Sequence, residues 1–384
     1  MLTSLKNNRS LTFYQQTKTK YRSVNSSYAG GISAVPISRV SFTTMSTNNG
    51  YNAQLKEYLK KLNKLRADDA QRYNLSSPNQ AARNMGVKRA WMYEKADIEM
   101  GGSGSANWSA EEKAQILEHN SVRGSEGHHQ QNVSDHPEQQ ANPDNIKFYK
   151  TKDEHLHDGH DGNWDNESNK HLTYKNKMLE KSNSKRVFKN ELKGLGLAVV
   201  IGSAVGLTIG FITTLAQSGI TPDTLKLATI EGLKSGAESG MLSAVGYGIG
   251  RTIGEVASQA ISGVLENTGI TITENISKMV NMVVVGALTI VVFSTYQFIK
   301  LKLKGVATRE ALIQTGKQAL FSLSLLAVSI VAQGIGGVAA GIIVSVSIGF
   351  IMIIYSVADA VQQRHFAEKI RIYTIEKCYP SFLM

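Results

Sequence analysis

From Gln318 to Ala358 the chain runs for 41 residues without a charged side chain. Soluble helical cores rarely sustain such a run, whereas about 20 consecutive apolar residues cross the hydrocarbon of a bilayer. Gly194 to Pro222 is also uncharged, as is Met279 to Ile299, which is bracketed by Lys278 and Lys300. Backbone polar groups in lipid must pair within their own segment, which favours helices. Gln333-Gly334-Ile335-Gly336-Gly337 interrupts the longest run. The pattern predicts an all-α transmembrane domain over 194–358, with four helices at about 194–216, 279–299, 316–333 and 337–356.

Basic residues set an orientation. Lys175 to Lys193 precede the first span, Lys300, Lys302, Lys304, Arg309 and Lys317 lie between the second and third, and Arg364, Lys369, Arg371 and Lys377 follow the fourth. Four spans place all three groups on the cytoplasmic side, together with the N-terminal half and a basic tail over 359–384. Residues 220–278 then fall outside. Gly236, Gly240, Gly246, Gly250 and Gly254 recur there near helical spacing, and small residues of this kind let helices approach closely and support homo-oligomers. The same segment, with Arg251 and Glu255, alternatively makes a fifth, polar span that would turn the C-terminus outward.

Residues 1–193 are polar and charged by contrast. Much of the net charge of +11 lies near the N-terminus, where no Asp or Glu occurs before Lys56. Rich in Ser, Thr and Asn, residues 1–51 read as a disordered basic tail. The same composition fits a mitochondrial transit peptide, or a flexible tail ahead of a start at Met45. Over 52–105 a helical lead-in is expected. Leu55, Leu59, Leu62 and Leu65 lie at helical spacing, and Ser77-Pro78 opens a second helix. Gly101-Gly102-Ser103-Gly104-Ser105 is a joint. Cys378, the one cysteine, excludes both a disulfide framework and a Cys-rich zinc ribbon. Residues 171–193 form a basic linker.

Eight of the nine histidines fall between His119 and His171. Imidazole titrates near neutral pH and, when neutral, binds metal, so a cluster this dense suggests a metal site. Gly127-His128-His129 lies near the end of an expected strand. Asn142-Pro143-Asp144-Asn145 then makes a turn, with Pro at its second position and Asp and Asn able to bond their own backbone. Ile146 and Phe148 continue as a short strand with both side chains on one face, and Lys152-Asp153-Glu154 begins a helix that carries His155 and His160. The order is a β-hairpin followed by a helix, within a module over 106–170.

Gly127-His128-His129, Asn142-Pro143-Asp144-Asn145-Ile146-Lys147-Phe148, Glu154-His155-Leu156 and Gly159-His160-Asp161-Gly162-Asn163-Trp164, with Trp108-Ser109-Ala110-Glu111-Glu112 upstream, closely resemble the GHH-signature branch of the HNH/endonuclease VII nuclease superfamily. The resemblance spans about 107–165. It implies an α+β fold of the ββα-metal (His-Me finger) type, followed here by the transmembrane helices. It implies His129 as general base, Asn145 as the brace that holds it, and His128, His155 and His160 as ligands of a divalent metal. His155 and His160 are five residues apart, where ligands on one helix face are usually four apart, and His157 stands as an alternative ligand. His119, His136 and His171 read as surface histidines.

A general base with pKa near neutrality suits the removal of a proton from water, and a metal would stabilise charge developing on the phosphate. Three imidazoles favour Zn²⁺, Ni²⁺ or Mn²⁺, with Mg²⁺ also open. Lys147, Lys150 and Lys152 beside the site are candidate phosphate contacts, blind to sequence. The reading is a metal-dependent, membrane-anchored endonuclease acting on DNA, with RNA as the other substrate, in a toxin or defence role that implies an immunity protein as partner. A rival reading is a membrane-disrupting or transport protein with a metal-binding regulatory domain.

Overall fold

A computed structural model describes residues 2–163 and 171–378. Trp164 and the first residues of the expected connector, together with the end of the basic tail from residue 379, lie outside the described residues. The chain divides into two compact units, Ser46–Glu191 and a helical unit formed by Met1–Met45 with Leu192–Met384.

In the unit Ser46–Glu191 the end of α1 (Leu2–Arg72) is followed by α2 (Gln80–Glu99) and α3 (Ala110–His119). Then come β1 (Glu126–His129), β2 (Ile146–Tyr149), a single turn α4 (Lys152–Glu154), a π-turn over His155–Gly159, and the start of α5 (Lys175–Ser218). Asn79 caps α2 by accepting from the Ala81 and Ala82 N–H groups. At α3 the Ser109 hydroxyl and the Glu112 carboxylate close a reciprocal capping box, as the spacing of the two residues predicts. β1 and β2 pair antiparallel, with Gly127 opposite Phe148 and His128 opposite Lys147. A two-stranded ribbon is marginal alone, so it lies on α2. Ile146 and Phe148 are buried with Trp91, Trp108, Ala90, Ile98 and Ile116, and the Trp91 and Phe148 ring centroids are 3.9 Å apart. Leu55, Leu59 and Leu62 of α1 pack on Tyr93 and Ala96 of α2, on Met100 at its end and on Leu179 of α5. The domain edges expected near residues 105 and 170 therefore do not coincide with the edges of this unit, whose core draws on the lead-in helices and on the linker.

The helical unit is all-α, with α6 (Pro222–Thr252), α7 (Gly254–Asn267), α8 (Glu274–Leu303) and α9 (Thr308–Cys378) following α5. Three helices among the described residues are long and apolar enough to cross a membrane: Lys175–Ser218, Glu274–Leu303 and Thr308–Ala332. Two expectations change here, at 337–356 and at 1–51. The separate helix at 337–356 is not separate, because α9 runs through Gln333–Gly337 without a break; glycine is tolerated inside membrane helices. Residues 220–278 hold two helices, and α6 lays Gly232, Gly236 and Gly240 against Ser203, Leu207 and Phe211 of α5. The disordered tail over 1–51 is helical from Leu2. Between Ala29 and Met45 its sole charge is Arg39, and Ala29, Ser33, Ala34, Ile37, Ser38 and Ser41 are fully buried among α5, α6, α8 and α9. Composition averaged over the basic N-terminus hides this small-residue stretch, which fits between helices.

The helical unit has apolar clusters between its helices, but it also buries small polar residues and exposes large apolar ones. Ser239, Ser243, Asn281, Thr289, Gln297 and Ser322 are buried, while Val200, Met241, Val291, Leu320, Val328 and Val331 are exposed. Apolar surface turned outward suits hydrocarbon as solvent, and small polar residues between helices suit packing within it.

Candidate active site

Side chains alternate across the ribbon. Gly127, Ile146 and Phe148 face α2, where a Cβ on residue 127 would stand 3.0 Å from Val87. His128 and Tyr149 take the other face, with ring centroids 5.9 Å apart. The π-turn closes over that face. His155 stacks on Tyr149 at 5.6 Å and 18°, and the Tyr149 hydroxyl donates to the Asp158 carbonyl at 3.2 Å. A π-turn bonds i to i+5, one residue wider than an α-turn, so residues five apart stack as residues four apart do on an α-helix. His155 and His160 thereby share one side, with ring centroids 5.0 Å apart. Gly159 makes the approach feasible, since a Cβ there would sit 2.9 Å from His155 Cδ2 and 3.3 Å from Tyr149.

His128, 3% exposed, completes a triad. Its ring centroid is 5.1 Å from that of His155 and 4.6 Å from that of His160, and one ligand nitrogen from each of the three lies within 4.8 Å of the others. His157 is outside the group, exposed and 3.5 Å from Asp153. Glu126 was not singled out from sequence. Its carboxylate accepts from His155 Nδ1 at 2.6 Å, so Nδ1 carries the proton and Nε2 presents its lone pair toward the triad. An acid two residues before His128 on one strand face is the signal that could have found it. Removing such a partner weakens metal binding about 10–100-fold. Glu126→Gln is expected to do so in chelator competition; unchanged affinity would make Glu126 a bystander.

His129 lies beside the triad in sequence but not within it. Its Nε2–H donates to the Gln140 carbonyl at 3.0 Å, which leaves the Nδ1 lone pair as the basic nitrogen. Burial pushes its pKa down to about 4, the Gln140 hydrogen bond works against that, and the positive charge of Arg83 adds to it. The imidazole is neutral at neutral pH. Gln140 is itself fixed. Its side chain donates to the Ser77 carbonyl at 2.9 Å and accepts from the Asn79 N–H at 2.6 Å. Gly86 of α2 leaves room for the same carbonyl that serves His129, because a Cβ at residue 86 would stand 2.5 Å from it.

Asn145, fully buried, ties the two sides of the loop together. Its Nδ2 donates to the Gln131 carbonyl at 3.0 Å and to the Gln139 carbonyl at 3.4 Å, and its Oδ1 accepts from the Gln131 N–H at 2.7 Å. It thus holds the residues that follow His129 and the residue that precede Gln140. Of the three lysines, Lys147 and Lys152 are exposed, Lys147 lying 4.6 Å over the Tyr149 ring. Lys150 is placed differently from the expectation. Its ammonium binds the Glu112 carboxylate at 2.8 Å and the Asn107 carbonyl at 3.3 Å, so it ties β2 to α3 rather than waiting for a phosphate.

Residues 79–150 match the family described as GHH signature containing HNH/Endo VII superfamily nuclease toxin. The match takes in α2, α3 and both strands and ends before His155 and His160. Comparison with the curated proteins and with the solved structures yields no match.

Proposed function

Because residues 79–150 carry a GHH-signature HNH/Endo VII nuclease toxin domain, we propose that the chain is a membrane-anchored, divalent-metal-dependent endonuclease that cleaves DNA with little sequence specificity, as a toxin or defence effector. The observation that carries the reading is the convergence of His128, His155 and His160, with a neutral His129 next to His128 in sequence whose proton position is set by a backbone carbonyl.

The donor set fits a transition-metal ion. Three imidazoles converge and one is oriented by a carboxylate, an arrangement typical of nitrogen-ligated divalent ions. His128, His155 and His160 would hold that ion, which when bound supplies positive charge against the phosphate. His129 Nδ1 takes the proton from the attacking water. As the ring becomes positive, its Nε2–H bond to the Gln140 carbonyl strengthens and stabilises it. Asn145 keeps that carbonyl in place. Lys147 and Lys152 meet phosphates without reading bases. Anchoring rests on the large apolar side chains that the helical unit exposes and on the three candidate spans. A cell that makes such a toxin requires an inhibitor, so an immunity protein is the expected partner.

Full-length protein reconstituted in lipid vesicles and given supercoiled plasmid should nick and then linearise it with Mn²⁺, Ni²⁺, Zn²⁺ or Mg²⁺, lose activity to a chelator, and float with the vesicles. Intact plasmid under every metal sinks the DNase reading; cleavage of RNA alone moves the substrate; activity left in the soluble fraction removes the anchor.

A further inference from the structure

The segment that leads into α5 lies beyond the matched residues, yet it grips the ribbon at three points. The Thr173 N–H donates to the Asp144 carbonyl at 2.7 Å. The Thr173 hydroxyl accepts from the Gln130 side-chain amide at 2.8 Å, and Gln130 is the residue immediately after His129. The Lys175 N–H, one of the donors at the start of α5 that no helical carbonyl satisfies, is met by Asp144 Oδ1 at 2.9 Å. The other oxygen of Asp144 takes Arg66 Nη1 at 2.9 Å. Gln130 is fastened from the other side too, its N–H donating to the Asn145 carbonyl at 2.7 Å.

We infer that Thr173 is a positioning residue for the proposed hydrolysis, acting through Gln130 on His129. The end of β1 is held between Asn145 on one side and Thr173 on the other, and the carbonyl that orients His129 belongs to the loop that Asn145 braces. Without the hydroxyl, the residue that follows His129 loses the hold on its side-chain amide, and displacements of about 1 Å at a catalytic group are enough to cost large factors in rate. The ligands have further support from the π-turn, where His155 stacks on Tyr149 and His128 packs edge-on against both rings. Loss of the bond should therefore reach the base and spare the ligands.

This inference rests on the nuclease reading, and the test separates the two. In full-length protein, Thr173→Val keeps the shape and removes the acceptor. It should lower kcat for plasmid cleavage about tenfold, with KM and the metal affinity of the triad unchanged within about twofold, and Thr173→Ser should restore the rate. Gln130→Met removes the same bond from its other end, and the double variant should be no slower than the slower single one. Wild type that leaves every nucleic acid intact overturns the nuclease reading. Active wild type with Thr173→Val equally fast overturns the positioning role, as does a loss in Thr173→Val that Thr173→Ser fails to restore, or one accompanied by weaker metal binding.

Discussion

His129→Ala is expected to slow plasmid cleavage by about a hundredfold to ten-thousandfold, the range that a positioned general base supplies, while the triad binds metal as in the wild type. The separation follows from the ribbon. His128 projects to the face closed by the π-turn, whereas His129 is directed to Gln140 across the loop. Truncating His129 removes the nitrogen that accepts the proton and leaves the three ligands, Glu126 and Tyr149 in place. Plasmid nicking with metal titrated in parallel reads both quantities. A variant that cuts at the wild-type rate removes His129 from the chemistry. One that loses metal binding along with cleavage makes it part of the metal shell instead.

Lys175→Met is expected to cost about 3–5 kcal/mol, the penalty for leaving one charge of a buried pair uncompensated. Lys175 Nζ and Glu94 Oε1 are 3.2 Å apart and both side chains are fully buried. Burial pushes the Glu94 carboxyl up. The Lys175 ammonium, together with the Ser105 and Trp108 N–H donors, outweighs it and holds the pKa below its ordinary 4.5. A carboxyl depressed in the native state contributes stability that is present above its unfolded pKa and fades as pH falls through the native one. Wild-type stability should therefore decline below about pH 4.5 on this account. With Met at 175 the burial cost dominates, the carboxyl rises, and mild acid should stabilise the variant. Urea unfolding followed by tryptophan fluorescence is a direct reporter, since Trp108 Nε1 donates to Glu94 at 2.8 Å. Equal stability of the two proteins, or parallel pH trends, would refute the account.

The ribbon was legible because two short-range rules agreed on it: alternation of Ile146 and Phe148 and the chemistry of the Asn142–Asn145 turn. The capping box at Ser109 and the leucines of α1 were legible for the same reason. What escaped depends on partners remote in sequence. Glu126, two residues before His128, gains its role only once His155 is folded against it, 29 residues on. Gly86 looks like a weak point in a helix until the Gln140 carbonyl needs its place. Lys150 looked like a phosphate contact because Glu112, its partner, is 38 residues away. In the helical unit the lack of charge was plain, but helix breaks were assigned by rules for water, where glycine interrupts helices more readily than it does in α9.

The π-turn has a consequence for how much the chain can change at this point. A turn that holds five residues where an α-turn holds four is an accommodated insertion. Excising one solvent-facing residue between the two ligands, the exposed His157 for instance, would leave an ordinary α-turn with His155 and the shortened equivalent of His160 still side by side. In a long helix such an edit would rotate everything beyond it by about 100°. Here the helical path ends at His160, so no continuing helix is turned out of phase. Spacing between the ligands is thus a nearly neutral variable: sequences with three and with four residues between these positions can encode the same metal centre.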